Sequence, residues 1–204
     1  MKETANKLAV FGGTFNPIHN GHLHMAREFA TRLQISRVLL IPTYTPPHKA
    51  APDLIPAEHR LAMCRLAVAG DPLFEVSDLE IRRQGPSYTS DTLRQIKNQN
   101  PETELFLLMG EDMFLTVENW HEPHQIYALA TLCAAPRGSE NNAKMEQYAR
   151  MIAQYGAKSR IENIEFLPVS STMVREAVKH GGPIDHLVPE PVADYVKRHR
   201  LYLG

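Results

Sequence analysis

Two imidazoles three residues apart, His19 and His22, close the string GGTFNPIHNGH that runs from Gly12 to His22. At a helix start, side chains at that spacing share one face, so both rings can donate hydrogen bonds to a single anion. The string follows the apolar run LAVF and precedes Leu23, Ala26, Ala30 and Leu33, which recur at helical intervals. This order predicts a strand, a glycine loop and a helix. Gly12 and Gly13 allow close approach of a ligand to the backbone, and a helix N-terminus offers unpaired N–H groups and a partial positive charge. A polyphosphate is the expected occupant. The loop carries neither the GxxxxGK[ST] nor the GxGxxG pattern of the two common nucleotide loops, so it must hold phosphates in another way.

A second anion site is expected near the C-terminus. Ser170, Ser171 and Thr172 follow IEFLPV and precede MVREAVKHGG. Such hydroxyls suit a helix N-cap, and Gly181 and Gly182 suit its stop. Capping alone is the commoner meaning of a Ser/Thr run. What argues for more is Arg175, one turn in, whose guanidinium can reach an anion already facing the free N–H groups.

Positioning these groups requires a scaffold. Apolar runs at 7–11, 37–41, 104–109, 131–135 and 165–169 read as buried strands. Helical spacing recurs between them, as in Leu61, Cys64, Ala67 and Val68, and a polar helical segment at 141–157 has Met145, Tyr148, Ala149 and Ile152 as its inner face. Alternating strands and helices predict an α/β fold with a parallel sheet covered on both faces. The stretches 42–56 and 82–87 read as loops, where function often sits. The 204 residues, 43% of them apolar, fit one compact domain spanning 1–204.

The formal net charge of −1 supplies no general attraction for a nucleic-acid backbone, so phosphate chemistry must be local and no nucleic-acid partner is expected. Cys64 and Cys133 lie in apolar runs without a CxxC partner, which predicts buried thiols in a reducing compartment. The apolar run near the N-terminus is too short for a signal-peptide core or a membrane span. A cytoplasmic protein with no membrane partner is therefore expected, and the sequence is compatible with a homo-oligomer.

HNGH matches the (H/T)xGH signature of the nucleotidyltransferase superfamily, and the whole string GGTFNPIHNGH resembles that of the bacterial nicotinate-nucleotide adenylyltransferases, whose usual form has Asp where this chain has Asn16. SSTMVR, at 170–175, resembles the superfamily's SSTxxR. Three further strings resemble the nicotinate-nucleotide branch: PPHK at 46–49, PSYTSDTL at 86–93 and GEDMFLTVENW at 110–120. Together the five span most of the chain in the family's order, which is far more specific than any one of them. Two departures are that His121 stands where Tyr is frequent and that Pro136 precedes Arg137 where the reverse order is common.

The resemblance implies a single-domain, Rossmann-like nucleotidyltransferase fold and transfer of the adenylyl group of ATP to nicotinic acid mononucleotide. It implies an ATP site formed by Gly12, Gly13, Thr14, Phe15, His19 and His22, by Gly110 and Asp112 at a strand end, and by Ser171, Thr172 and Arg175 for the triphosphate. His19, His22 and Arg175 are the expected catalytic groups. For the mononucleotide it implies Asn16, His48 and Lys49, with Tyr88, Thr89 and His121 offering backbone donors and Trp120 stacking on the pyridine ring. A magnesium ion is expected to arrive with ATP, since no carboxylate cluster suggests a protein cage for a metal. The competing expectations are an adenylyltransferase preferring nicotinamide mononucleotide or phosphopantetheine, a metal-dependent hydrolase built on His19, His22 and His24, and a non-catalytic nucleotide- or RNA-binding module.

Overall fold

A computed structural model describes residues 6–47, 53–138 and 141–203. Its centre is a parallel sheet of six strands: β1 (Lys7–Gly13), β2 (Val38–Pro42), β3 (Phe74–Val76), β4 (Glu104–Gly110), β5 (Ala130–Ala135) and β6 (Lys158–Ile161), in the spatial order β3-β2-β1-β4-β5-β6. The chain builds outward from β1 to one edge, returns beside β1 with β4, and builds outward to the other edge. Crossovers therefore leave β1 and β4 on opposite faces, opening a crevice at the C-terminal ends of these two strands, where α/β sheets bind ligands.

The helices are α1 (Asn20–Leu33), α2 (Ala57–Ala67), α3 (Leu79–Arg83), α4 (Thr89–Gln99), α5 (Glu111–Phe114), α6 (Pro123–Leu129), α7 (Asn142–Ala153), α8 (Ser171–Lys179) and α9 (Glu190–Arg198). They cover both faces of the sheet. Ala9 and Phe11 of β1 pack into one apolar cluster with Ala26 and Phe29 of α1, while Leu8 and Val10 pack into the other with Leu93 and Ile96 of α4. Burial on both sides explains why the strands read as continuous apolar runs. Cys64 and Cys133 are buried free thiols, and burial pushes both up, Cys133 to about 12. Among the described residues no helix is long and apolar enough to cross a membrane.

Three expectations need correction. The run 165–169 is not a strand, because the place beside β5 is taken by β6, which pairs Thr131 with Lys158 through Ala134 with Ile161. β6 reads KSRI and has no apolar run, so hydrophobicity could not reveal it. Past Ile161, Glu162 makes one last bond to the Ala134 carbonyl and the chain leaves the sheet, with Phe166 and Leu167 exposed. Arg82 and Arg83, expected in a loop, end α3, and the loop begins at Gln84 and Gly85, both at positive φ. The first strand also runs two residues further than its apolar run, since Gly12 and Gly13 pair with Ile41 and Pro42. The short β3 was not foreseen either.

Candidate active site

The crevice holds a cavity of about 750 Å³. Gly12, Gly13, Thr14, Phe15 and Asn16 line it from β1 and the loop that follows. His19 and His22 line it from α1, and Ser171, Thr172 and Arg175 from α8. Two helix N-termini thus open on one space. Gly13 is required by packing, as a Cβ there would stand 2.9 Å from the Phe15 ring, and Gly21 is confined by the His19 ring at 3.1 Å and the Val169 carbonyl at 3.3 Å.

The two imidazoles form the cap of α1. His22 N–H donates to His19 Nδ1, and His19 N–H donates to His22 Nδ1, each at 3.3 Å. The rings stack with centroids 3.5 Å apart. Because each Nδ1 accepts, the single proton of each neutral ring sits on Nε2. Burial lowers the His19 pKa to about 4, and burial followed by the charge of neighbouring His19 drives His22 well below its ordinary value. Both rings are therefore neutral Nε2–H donors at neutral pH. Phe15, 2% exposed and at φ 46°, stands edge-on to His22 with centroids 5.0 Å apart and so supports the ring from behind.

On α8, Ser170 is the N-cap and accepts from Met173 N–H at 3.2 Å, whereas Ser171 donates to the Pro17 carbonyl at 2.8 Å and binds the helix to the loop after β1. Arg175 donates to the Asn16 carbonyl at 3.0 Å and to Thr172 Oγ1 at 3.3 Å. Its guanidinium is held at the joint between the two helix ends.

Asn16 is itself buried and used at both ends of its amide. Nδ2 donates to the Asp53 carbonyl at 2.9 Å, while Oδ1 accepts from Tyr202 Oη at 3.0 Å and more weakly from Ile55 N–H at 3.5 Å. An Asp here would bring a second acceptor against the Asp53 carbonyl. The amide suits this packing.

On the opposite wall, Gly110, Thr89 and Trp120 line the cavity. Trp120 packs against the second apolar cluster, and its Nε1 donates to Thr116 Oγ1 at 3.4 Å. Asp112, Tyr88 and His121 are not brought to the lining. Asp112 is exposed and paired with Arg137 at 2.6 Å, and the acidic residue of that turn which lines the cavity is Glu111, accepting from Arg137 N–H at 2.8 Å and Asn141 Nδ2 at 3.2 Å. Tyr88 and His121 stack on each other with centroids 4.1 Å apart, and Tyr88 N–H is taken by the Pro86 carbonyl at 3.0 Å. His48 and Lys49 lie outside the described residues.

His24 lines the cavity, but its Nε2 meets the Glu165 carbonyl at 2.8 Å, a structural contact that fixes the segment after β6. Among the described residues no group of three His, Cys, Asp or Glu side chains is placed to hold a metal ion.

Several residues here had not been singled out. Arg60 is buried in the inner face of α2, at 1% exposure. Glu80 is buried beside the cavity, accepts from Thr92 Oγ1 at 2.6 Å, and has its pKa raised by burial. Ser87 Oγ accepts Tyr44 N–H at 2.9 Å. A charge inside an apolar helical stripe, as at Arg60 with Met63, Cys64 and Ala67, was the available signal for the first.

The cytidylyltransferase-like family model matches residues 10–177. A relative from Dehalococcoides mccartyi, named "Probable nicotinate-nucleotide adenylyltransferase", is 40% identical over 96% of this chain and 97% of its own. One of the same name from Thermomicrobium roseum is 39% identical over 97% and 92%. Among solved structures, the Plasmodium falciparum nicotinic acid mononucleotide adenylyltransferase complexed with NaAD superposes with a TM-score of 0.76 over 96% of this chain and 97% of that one, at 19% identity. The same enzyme complexed with APC gives 0.76 at 18%, covering 97% of each chain. These two likenesses establish the fold.

Proposed function

The chain belongs to the cytidylyltransferase-like family, in its nicotinate-nucleotide adenylyltransferase branch, and from that membership we propose that it joins ATP and nicotinic acid mononucleotide into nicotinic acid adenine dinucleotide and pyrophosphate, a step of NAD biosynthesis. The observation that carries the chemistry is the convergence of two helix N-termini, two Nε2–H imidazoles and one guanidinium on a single cavity. Such a place suits a triphosphate.

No protein nucleophile is needed. An oxygen of the mononucleotide 5′-phosphate attacks the α-phosphorus of ATP, a new P–O–P bond forms, and the bond from the α-phosphorus to the bridging oxygen breaks in line. The electron pair leaves with pyrophosphate. His19, His22 and Arg175 offer donors to the phosphoryl oxygens as charge shifts, without reorganising at that moment. The neutral state of the imidazoles matters here, since the donated proton stays on Nε2 and no proton is transferred in the step. Magnesium enters as part of the MgATP substrate. Ser171 and Thr172 attend the triphosphate, Trp120 faces the pyridine ring, and Thr89 at the start of α4 faces its carboxylate. Lys49 meets the mononucleotide phosphate. The protein works in the cytoplasm on these small molecules, without a nucleic-acid partner.

Pyrophosphate release from MgATP, measured with nicotinic acid mononucleotide, nicotinamide mononucleotide and phosphopantetheine in turn, tests this reading. The acid mononucleotide is expected to be the best acceptor and a chelator to stop turnover. Chelator-sensitive hydrolysis without ATP would overturn the reading in favour of a hydrolase.

A further inference from the structure

Behind the cavity, α2 carries a guanidinium that the chemistry above does not use. Arg60 is 1% exposed and donates to three main-chain carbonyls: Nη1 to Thr14 O at 2.8 Å, Nη2 to Tyr44 O at 3.2 Å and Nε to Ile55 O at 3.2 Å. Burying a cation costs far more than burying a hydrocarbon of the same volume. Simple packing of α2 would be served by a methionine or leucine. What only arginine offers is a rigid planar fork of donors that several carbonyls can share.

The three carbonyls belong to two segments that front the cavity, the loop after β1 and the connection from β2 to α2. Thr14 directly follows Gly13 on the phosphate side. Tyr44 and Ile55 lie in the connection from β2 to α2, from which Thr43, Pro46 and Asp53 reach the cavity. Tyr44 extends the tie, for its N–H donates to Ser87 Oγ at 2.9 Å, and Ser87 N–H donates to Thr45 O at 3.0 Å. Two residues on, Thr89 faces the cavity. One run of hydrogen bonds thus leads from the phosphate loop, through Arg60, to the wall that ends at α4.

We propose that Arg60 is a positioning residue: by holding Thr14, Tyr44 and Ile55 on one guanidinium, it sets the separation between the loop that seats the ATP phosphates and the wall that seats the mononucleotide. The inference rests on the adenylyltransfer reading. In that reaction the attacking oxygen and the α-phosphorus must meet within about 3–3.5 Å, and a misplacement of about 1 Å costs on the order of a hundredfold in rate. Each substrate contacts its own wall, so each can still bind alone when the walls shift relative to one another. Only the reaction between them senses the change. Lysine retains the charge but not the fork, and methionine retains neither.

The test compares wild type, Arg60→Lys and Arg60→Met by steady-state kinetics with both substrates varied. Binding of MgATP alone and of nicotinic acid mononucleotide alone, and Tm, are measured in parallel, with kcat expressed per folded molecule. Both variants are expected to lose about ten- to a hundredfold in kcat, while each binary Kd stays within about threefold of wild type. Arg60→Lys, which preserves the charge, carries the comparison if Arg60→Met does not fold. A lower Tm with kcat per folded molecule at the wild-type value would make Arg60 a purely structural residue and overturn the inference. So would a kcat loss accompanied by an equal loss of MgATP affinity. Absence of turnover in wild type with any pyridine mononucleotide would instead overturn the adenylyltransfer reading, and the inference with it.

Discussion

The two sides of the cavity are held by different kinds of contact. On the phosphate side each helix start is capped by contacts close in sequence, and the two starts are tied together at long range by Ser171 on the Pro17 carbonyl and Arg175 on the Asn16 carbonyl. His19 and His22 cap each other across three residues, Ser170 caps Met173, and Arg175 reaches back to Thr172. The contacts that hold the mononucleotide side and join it to the phosphate loop are all distant: Tyr44 to Ser87 spans 43 residues, Arg60 to Thr14 spans 46, and Asn16 to Asp53 spans 37. Contacts of the first kind form with their helix, whereas contacts of the second kind exist only once the sheet has brought separate loops together. A preformed cap can be stripped of its chemistry with modest loss of fold. A wall assembled at long range responds in geometry as well as in stability.

The largest expected effect breaks the phosphate side alone. His22→Ala removes one neutral Nε2–H donor and one half of the mutual cap. By analogy with the loss of a single preorganised donor, kcat is expected to fall about 10²–10³-fold, while stability falls by only about 1 kcal/mol, the cost of a lost cap. MgATP affinity, measured by calorimetry, should change much less than kcat, because the donor acts most strongly as charge develops. Unchanged turnover would remove the imidazole from the mechanism.

The same cap makes the phosphate side sensitive to acid. His19 has a folded-state pKa of about 4, against about 6.5 when unfolded, and His22 is shifted in the same direction. Above pH 6.5 neither state is protonated and the shift contributes nothing. As pH falls from 6.5 towards 4, the unfolded chain takes up protons that the folded chain refuses, so stability declines, by about 3 kcal/mol for His19 at the lower limit. Urea unfolding of wild type and of His19→Asn between pH 7 and 4.5 should show a steeper decline in wild type. Equal slopes would contradict a neutral cap.

The contrast between the two sides also marks what was legible in the sequence. Local contacts leave local patterns, so the strings at 12–22 and 170–175 could be read as helix starts before any fold was known. The mutual imidazole cap was not foreseen, yet it lies inside the string that was. Arg60 left only a charge within an apolar helical stripe, which does not name its partners, and Glu80 left no trace, since their partners are carbonyls and hydroxyls on segments whose proximity only the sheet order determines. Asp112 shows the reverse failure. Two adjacent acids follow Gly110, and the side each takes depends on the Arg137 guanidinium, which draws Asp112 outward while Glu111 accepts the Arg137 N–H. β6 was missed for a related reason: as an edge strand it needs few apolar side chains to be held.

A smaller effect is expected on the mononucleotide side. Tyr88 N–H is already taken by the Pro86 carbonyl, so donors for a pyridine substituent are expected from Thr89 and the first turn of α4, which has no side-chain cap. A helix N-terminus favours a carboxylate over a neutral amide. An amide NH₂ facing such donors leaves a polar group unpaired, at a cost of about 1–3 kcal/mol, or roughly ten- to a hundredfold in kcat/KM. Trp120→Ala should weaken both mononucleotides alike, because stacking on the ring does not sense its substituent. Equal or better use of the amide would sink the assignment of α4 as the carboxylate's partner.

The smallest expected effect lies at the seam between the two sides, where Asn16 gives its carbonyl to Arg175 and its amide to Asp53 and Tyr202. Tyr202→Phe deletes one hydroxyl and leaves the ring in place. Asn16 Oδ1 then retains only the longer bond from Ile55 N–H, at 3.5 Å. The loss should be about 1 kcal/mol, seen as a fall in Tm of about 2–4 °C for a chain of this size. Since Asn16 touches segments from both sides, its small displacement should lower kcat/KM for ATP and for the mononucleotide together, each by less than about threefold. Asn16→Asp should act in the same direction and more strongly, because a carboxylate oxygen would replace the donor that now meets the Asp53 carbonyl. A Tyr202→Phe variant impaired toward ATP alone would assign Asn16 to the phosphate side and move the division between the two halves of the cavity from the Asn16 backbone to the Asp53 carbonyl.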